Sequence, residues 1–478
     1  MEGLSSCTLD LTEGCNLACD YCFTHSQHKS KHLTIDMGKR ILDWWMPQTS
    51  TDRPLSVTWW GGEPLIRWDT LQELTYYAEA KAKELGREVS FGGTTNGVLY
   101  TPDRVKWCLE HKSLFMISMD GLRDQHDAHR CFKNGTGSWD KVVENVRLAL
   151  AVVPSTKVRM SLHADHVKDF FKSIKFMFED LGLQEAIYSP VYESNWTPEN
   201  LKIAAEQLAL TVEYQVERVK KGLPATIKHL NDEAIGNGGP KYNPCGAGTH
   251  YMSWSVDGYG FPCHRFNKHG LSANEKAASP TCIAQPKGDS FEWINRDFLD
   301  EFDFINDPCT SCQKCEIWGA GKSGCNGGCY ATNYDFTGDI RKQPKVECAF
   351  TKVQHEAGLL LRAKAKEAGV SLMQSPQQHK PKGCVCFNMC YSEGTDREII
   401  HLDRSSERAC VCDHTNYTGS TEAQARPIQN RFADREILTK FLNLSKRILA
   451  NPEGDEKQRE LSNDILNKTI RMIENARF

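Results

Sequence analysis

The chain has 478 residues, with 58 Lys and Arg against 62 Asp and Glu, a formal net charge of −4, and 40% hydrophobic and 25% charged residues. That balance fits a globular protein with a sizeable core and about three domains. The basic residues form no long run, so nucleic acid is not expected as the partner. No apolar stretch reaches the roughly 18 residues of a membrane helix. The start Met1-Glu2-Gly3-Leu4-Ser5 lacks the basic and apolar regions of a secretory signal. A cytoplasmic protein away from membranes is the expectation.

In chain order, strand patterns fall at Cys7–Leu11, Leu55–Trp60, Glu88–Gly92, Leu114–Met119, Lys157–Leu162 and Ala186–Pro190. Between them lie helix patterns at Thr34–Met46, Trp68–Leu85, Pro102–His111, Ser138–Val152 and His166–Leu181. Thr34 is the expected N-cap of the first, with Ile41, Leu42 and Trp45 on one face. Six strand–helix units predict an α/β fold with a parallel sheet. They are too few for a closed eight-fold barrel, so an open partial (βα)6 barrel is expected over 1–195, with its chemistry at the C-terminal strand ends. A helical linker follows at 196–239: Pro198–Lys221 carries Leu201, Ala205, Leu208, Val212, Val216 and Val219 on one stripe, and Gly236-Asn237-Gly238-Gly239-Pro240 then breaks the chain. Residues 240–370 are rich in Gly, Cys and turn residues and weak in periodicity until a helix at Lys352–Ala368, so metal is expected to organise them. A polar linker around Gln374–Lys382 leads into a Cys-rich and helical extension at 371–478, with helix patterns at Ala433–Leu449 and Lys457–Ala476.

Twenty cysteines in a chain without an export signal point to metal rather than disulfides. Cys7, Cys108, Cys131 and Cys282 stand apart and read as buried apolar thiols. The first cluster, Cys15, Cys19 and Cys22, is a C-x3-C-x2-C loop directly after the first strand. Three thiolates are one short of the set that fills a tetrahedral zinc or a four-iron cluster. A zinc site completed by His25 is one reading; an iron–sulfur cluster with one iron open to a ligand is the other.

Companion motifs stand at the following strand ends: Gly61-Gly62-Glu63-Pro64, Thr95-Asn96-Gly97, Ser118-Met119-Asp120-Gly121 and His126-Asp127-Ala128-His129-Arg130. As an ordered set over residues 7–165 they resemble a radical S-adenosylmethionine (SAM) enzyme. In that family the open iron is chelated by the amino and carboxylate groups of SAM, which is cleaved to a hydrogen-abstracting 5′-deoxyadenosyl radical. The resemblance implies that Gly62 and Glu63 receive the SAM amino group, that Asn96 contacts the cofactor, and that Ser118 touches the ribose. It further implies that Arg130 binds the SAM carboxylate and that Tyr21 packs near the adenine.

Cys245 and Cys263 frame a C-x12-G-x4-C run, and Cys309, Cys312, Cys325, Cys329 and Cys348 follow. This resembles the SPASM extension of peptide-modifying radical SAM enzymes, with one departure: the x5 step is x12 here and contains Cys315. The resemblance implies a distal auxiliary cluster on Cys309, Cys312, Cys325 and Cys348, with Cys315 as the alternative to Cys325. The proximal cluster would use Cys245, Cys263 and Cys329, completed by Cys282 or Cys315 or left with an open iron. Three [4Fe-4S] clusters and SAM are thus the expected cofactors, against paired zinc ribbons as the alternative for the extension. A further metal is expected among Cys384, Cys386, Cys390, Cys410 and Cys412, beyond the resemblance, which ends near residue 350.

The resemblance implies a maturase that oxidatively modifies a peptide or protein. Pro262-Cys263-His264 resembles thioether-forming enzymes, whereas sulfatase-maturing relatives carry Asp after the matching cysteine. An intrapeptide thioether or carbon–carbon cross-link is therefore expected first. Formylglycine formation and small-molecule dehydrogenation are the alternatives. His264 is a candidate proton acceptor because a histidine titrates near neutrality; Asp232, Glu193 and Asp257 are base candidates by residue type. Expected partners are a cysteine-containing peptide or protein, a reductant such as flavodoxin or ferredoxin, and a separate leader-binding protein, since the first strand begins by Cys7.

Overall fold

The structure, a computed structural model, describes residues 4–24, 30–51, 53–235, 245–300, 302, 310–315, 317–318, 325 and 327–372. Six strands, β1 (Ser6–Thr12), β2 (Leu55–Gly61), β3 (Val89–Thr95), β4 (Ser113–Ser118), β5 (Val158–Leu162) and β6 (Glu185–Pro190), pair in sequence order and in parallel. Each lies within two residues of its expected bounds at either end, apart from the C-terminal end of β3, which runs three residues further. Burial alternates strictly along β2, β4 and β5. Val57, Trp59, Phe115, Ile117, Val158 and Met160 pack against the outer helices in the main core, while the alternate residues line the inner face of the curved sheet.

Helices at Ile35–Trp45, Trp68–Glu84, Pro102–Glu110, Trp139–Val152 and Phe170–Glu179 cover the outer face. Thr34 caps the first, its side chain accepting from Met37 N at 3.1 Å. The linker helix Pro198–Lys220 starts with a reciprocal capping box between Thr197 and Asn200. A short helix at Arg123–His129 follows β4; its polar sequence, RDQHDAH, offers no apolar stripe to read.

The region expected to lack periodic structure contributes strands to the same sheet. β7 (Thr226–Ile227) adds to β6, and β8 (Tyr251–Trp254) pairs in parallel with β1, placing Ser6 opposite Tyr251 and Leu9 opposite Trp254. Beyond β8 follow β9 (Gly260–Phe261), β10 (Ala284–Lys287) and β11 (Ser290–Trp293), all antiparallel, giving an eleven-stranded sheet. Strands of two to four residues are too short to show an alternation in sequence. A second core of Ala247, Phe261, Cys263, Phe266, Cys282, Phe302, Tyr330, Ala331 and Ile340 lies beside this edge.

Polar groups bolt β1 to the segment that follows Cys263. Asp10 Oδ2 accepts from Asn267 Nδ2 and His269 Nε2, both at 2.7 Å, and Glu13 accepts from Gly270 N at 3.0 Å and Lys276 Nζ at 2.9 Å. The last described helix runs Lys345–Glu367, seven residues earlier than expected at its start. It packs back on the barrel through His355 to Glu233 at 2.8 Å and Lys364 to Glu213 at 2.8 Å. None of the described helices is long and apolar enough to cross a membrane. His25, Gly236–Pro240, Cys309, the linker at 374–382, the cysteines from Cys384 to Cys412 and the two C-terminal helix patterns lie outside the described residues.

Candidate active site

Directly after β1 the chain turns into the loop carrying Cys15, Cys19 and Cys22, all half-buried and each close enough to act electrostatically on the others. Gly14 N donates to Thr12 Oγ1 at 2.9 Å, and Leu17 N points at Cys15 Sγ at 3.4 Å. Burial pushes the Cys15 thiol up to about 12 and the Cys19 thiol up to about 11. A bare thiolate trio is therefore opposed here, and a bound cation reverses that balance. The donor set fits an iron–sulfur cluster.

Gly61, the last residue of β2, has φ of +130°, and a Cβ there would stand 2.1 Å from the Thr12 carbonyl oxygen. Only glycine lets this strand end press against the start of the cysteine loop. Gly62 N donates to Thr12 O at 2.8 Å. Glu63 caps the short helix that follows β2. The residue is fully buried, and its oxygens accept from Leu65 N at 3.1 Å, Thr95 Oγ1 at 2.8 Å and Asn96 N at 2.7 Å. Its carboxylate ties the β2 and β3 ends together, and burial raises its pKa to about 7. Asn96 in turn donates to Asn16 Oδ1 at 2.7 Å, with Cys15 Sγ 3.6 Å away.

At the ends of β4 and β5 the organising residue is one the sequence reading passed over, Asp120. It is 1% exposed. Its Oδ2 accepts from the Tyr21 hydroxyl and from Arg130 Nε at 2.7 Å, and its Oδ1 accepts from Ser161 N at 2.8 Å. Burial alone would raise this carboxyl, but the Arg130 guanidinium and these donors hold it below the usual carboxylate range. Asp120 N donates to His126 Nδ1 at 3.2 Å, so His126 is neutral there, its pKa lowered to about 4 by burial, with Nε2 2.9 Å from Ser138 Oγ. Arg130 lies over the Tyr21 ring at 5.3 Å, and its outer nitrogens face Cys19 Sγ at 3.9 Å and Ser161 Oγ at 3.5 Å. Its Nε is thus taken by Asp120 while the outer edge of the fork stays weakly held beside the cysteine loop. Ser118 is half-buried at the end of β4 on the inner face.

The remaining cysteines divide into two groups. Cys245, Cys263 and Cys329 feel one another's charge, and Cys325 feels Cys348 and Cys315. Cys315 thus sits with Cys325 and Cys348, not with the first group, and its backbone N donates to Cys312 O at 3.0 Å. Cys282 is fully buried, pointing at Ala284 O at 3.3 Å with Lys276 nearby, and stands apart from both groups. Cys7 and Cys108 are fully buried, as expected of apolar thiols.

His264 Nδ1 meets the Tyr251 hydroxyl at 2.6 Å, which also accepts from Thr8 at 2.9 Å, and the ring lies 4.3 Å from that of Trp60. Burial, with Arg159, Arg265 and His269 nearby, pushes its pKa down to about 3. Burial and the flanking positive groups both disfavour the charged imidazole. Asp232 pairs with Lys228 at 2.9 Å, Asp257 with Lys276 at 2.8 Å, and Glu193 with Arg265. A carboxylate the sequence did not single out is Glu347. It is 4% exposed and accepts from Cys329 N at 3.0 Å, and its Oε2 has no partner among the described residues. Arg159, on the inner face of β5, lies within electrostatic reach of Tyr21, Asp120, Arg130 and Cys329, and makes no ion pair among the described residues.

Residues 9–177 match the Radical SAM superfamily. The chain is 28% identical over 200 residues to a serine-type anaerobic sulfatase-maturating enzyme of Bacteroides thetaiotaomicron, covering 37% of this chain and 44% of the relative. It is 26% identical over 189 residues to a cysteine-type enzyme of Clostridium novyi, covering 37% and 50%. The chain thus spans about half the length of the curated relatives it matches. The solved structure of native anSMEcpe with bound AdoMet shares the fold over 76% of this chain and 99% of that one, with a TM-score of 0.55 at 18% identity. The cysteine loop, the glycine-rich strand end and the sheet that carries them thus lie within a Radical SAM domain, and that part of the chain is similar to the anaerobic sulfatase-maturating enzymes.

Proposed function

We propose that this enzyme oxidatively modifies a peptide or protein substrate placed between the Cys15–Cys22 loop and the group formed by Cys245, Cys263 and Cys329. The observation that carries this reading is Arg159 on the inner face of β5, which lies within electrostatic reach of Tyr21 in the first loop and of Cys329 in the second group.

On this reading Cys15, Cys19 and Cys22 hold one [4Fe-4S] cluster, and Tyr21, Gly62, Asn96, Ser118 and Arg130 line the SAM site. Cys245, Cys263 and Cys329 hold a proximal auxiliary cluster with one iron left open. Cys309, Cys312 and Cys348, with Cys325 or alternatively Cys315, supply the distal one. When bound, these groups supply hydrogen-atom abstraction and take up the remaining electron. The protein's part is position. Asp120 fixes the Arg130 fork and the Tyr21 hydroxyl, Glu63 locks two strand ends, and His264 stays neutral as a hydrogen-bonding group tethered by Tyr251. Glu347, buried beside Cys329 and near Arg265, is a second candidate proton acceptor. The working boundaries are 1–195 for the barrel, 196–239 for the linker, 240–370 for the SPASM part and 371–478 for the extension.

We place an intrapeptide thioether first among products, because His264 stands where sulfatase-maturing enzymes carry Asp. The second reading, formylglycine formation, is favoured by the sulfatase-maturating relatives. A ferredoxin or flavodoxin would supply electrons, and a separate protein would deliver the peptide. The test is anaerobic reconstitution with iron and sulfide, followed by dithionite reduction with SAM. About twelve irons per chain are expected for three four-iron clusters, with 5′-deoxyadenosine formation lost in the Cys15, Cys19, Cys22 triple alanine variant. No SAM cleavage would overturn the proposal, and about four irons with zinc would make the extension structural. With a candidate peptide, mass spectrometry separates the products: a thioether retains sulfur and loses two hydrogens, whereas formylglycine made from Cys loses sulfur.

A further inference from the structure

Beside the cysteine loop lies a second cluster of metal-ligating side chains that the radical chemistry does not use. Asp20 comes from the loop, His129 from the end of the Arg123–His129 helix, and His163, Asp165 and His166 from the turn after β5. His129 is 8% exposed and stacks on His163 with ring centroids 3.8 Å apart. Its Nδ1 lies 2.9 Å from Asp20 Oδ2 and its Nε2 lies 3.3 Å from Asp165 Oδ1. The same Asp165 oxygen lies 2.8 Å from His163 Nδ1.

A neutral imidazole carries one N–H and cannot donate to a carboxylate on each side. One of the two His129 contacts therefore needs either a second ring proton or a cation between nitrogen and oxygen. The arrangement matches the way proteins prepare histidines for metal. A ligating histidine donates its far N–H to a carboxylate, which fixes the tautomer and turns the other nitrogen outward as a lone pair. Asp165 can do this for His129 and His163 together. Ligand atoms of Asp20, His129 and His163 all lie within 4.8 Å of one another. A tetrahedral zinc with bonds of about 2.0 Å sets its ligand atoms about 3.3 Å apart, so the Asp20 contact opens by a few tenths of an ångström and the His163 ring turns out of its stack on His129 to aim at the same point. Asp20 is exposed, which leaves an entry path.

We propose that Asp20, His129 and His163 bind one divalent cation of the zinc class, with Asp165 as the outer carboxylate that orients both imidazoles. Two imidazoles and a carboxylate suit such an ion. The ion clamps the cysteine loop to the β4 and β5 ends and stiffens the segment between Cys19 and Cys22. This site stands independently of the substrate reading above, and its test reads no turnover.

The full chain, iron-loaded anaerobically so that cluster thiols are occupied, is equilibrated with zinc chloride and desalted. Zinc and iron are then counted, and the zinc X-ray absorption fine structure is recorded. The wild type is expected to hold one more zinc per chain than an Asp20→Asn, His163→Gln variant, at equal iron, with the extra zinc in a nitrogen and oxygen shell at about 2.0–2.1 Å. Equal zinc in the two proteins overturns the site, as does extra zinc in a sulfur shell at about 2.3 Å. If the double variant loses iron, Asp165→Asn alone is compared. A zinc affinity weaker by about 10–100-fold is expected, and an unchanged affinity refutes the proposal.

Discussion

Replacing Lys276 by Met removes the cation that joins β1 to the segment following Cys263. Lys276 Nζ lies 2.9 Å from Glu13 Oε1 and 2.8 Å from Asp257 Oδ2. The Lys276 and Glu13 side chains are 0% and 1% exposed, whereas Asp257 is 27% exposed and keeps Lys31 at 3.3 Å. The loss therefore falls on Glu13, which is left buried with the single donor Gly270 N. Stranding one partner of a buried pair costs about 3–5 kcal/mol, and the exposed side of the network adds little. For a chain of this size, with an unfolding entropy of about 1 kcal/mol per degree, that lowers the unfolding midpoint by roughly 3–5 °C. Thermal unfolding of the iron-loaded protein measures it. The double variant Glu13→Gln, Lys276→Met is expected to recover most of the loss, because it leaves no buried charge behind. A Lys276→Met midpoint within about 2 °C of the wild type, or a double variant no more stable than the single one, refutes the reasoning.

Gly61→Ala meets the Thr12 carbonyl at 2.1 Å in a left-handed conformation and is expected to cost about 3 kcal/mol or more, read as a lowered midpoint; an unchanged midpoint refutes it. Cys282→Ala is expected to leave the iron content unchanged while Cys329→Ala lowers it, since only Cys329 shares a group with Cys245 and Cys263; an iron assay on both variants decides. Asp120→Asn strands the buried Arg130 and is expected to destabilise by about 3–5 kcal/mol at neutral pH. A carboxyl held low contributes stability that is complete above its unfolded value of about 3.9 and is lost as the pH falls through the lower folded value. The gap between wild type and variant therefore narrows in acid, and a gap that stays constant from neutral pH down to acid would count against the assignment.

The six barrel strands were legible because each is a run of five to seven residues with a buried face, and Thr34 because capping is a local choice. The first cysteine loop was legible for the same reason: its three donors lie within eight residues. Asp120 was not. It stood in plain view in Ser118-Met119-Asp120-Gly121, but its partners Tyr21, Arg130 and Ser161 meet only when β4, β5 and the cysteine loop come together. His264 was legible as a residue type but its environment was not, because that comes from Trp60, Tyr251 and Arg159, far away in sequence. Glu347 escaped notice beside Cys348, since nothing local marks a glutamate in a first helical turn as buried.

The short strands after residue 225, the hardest part to read, decide how the two cysteine groups are held. Because β8 pairs in parallel with β1, the segment from Cys245 to Cys263 is an extension of the barrel sheet rather than a body docked against it. Its place relative to Cys15 is set by hydrogen-bonded register, Ser6 opposite Tyr251 through Leu9 opposite Trp254, and by the buried bolts at Asp10 and Glu13. Tyr251, which tethers His264, and Thr8, which donates to Tyr251, lie on these paired strands. A one-residue slip would turn Tyr251 to the opposite face. The fold thus sets the spacing between the two groups by strand pairing rather than by the docking of separate bodies.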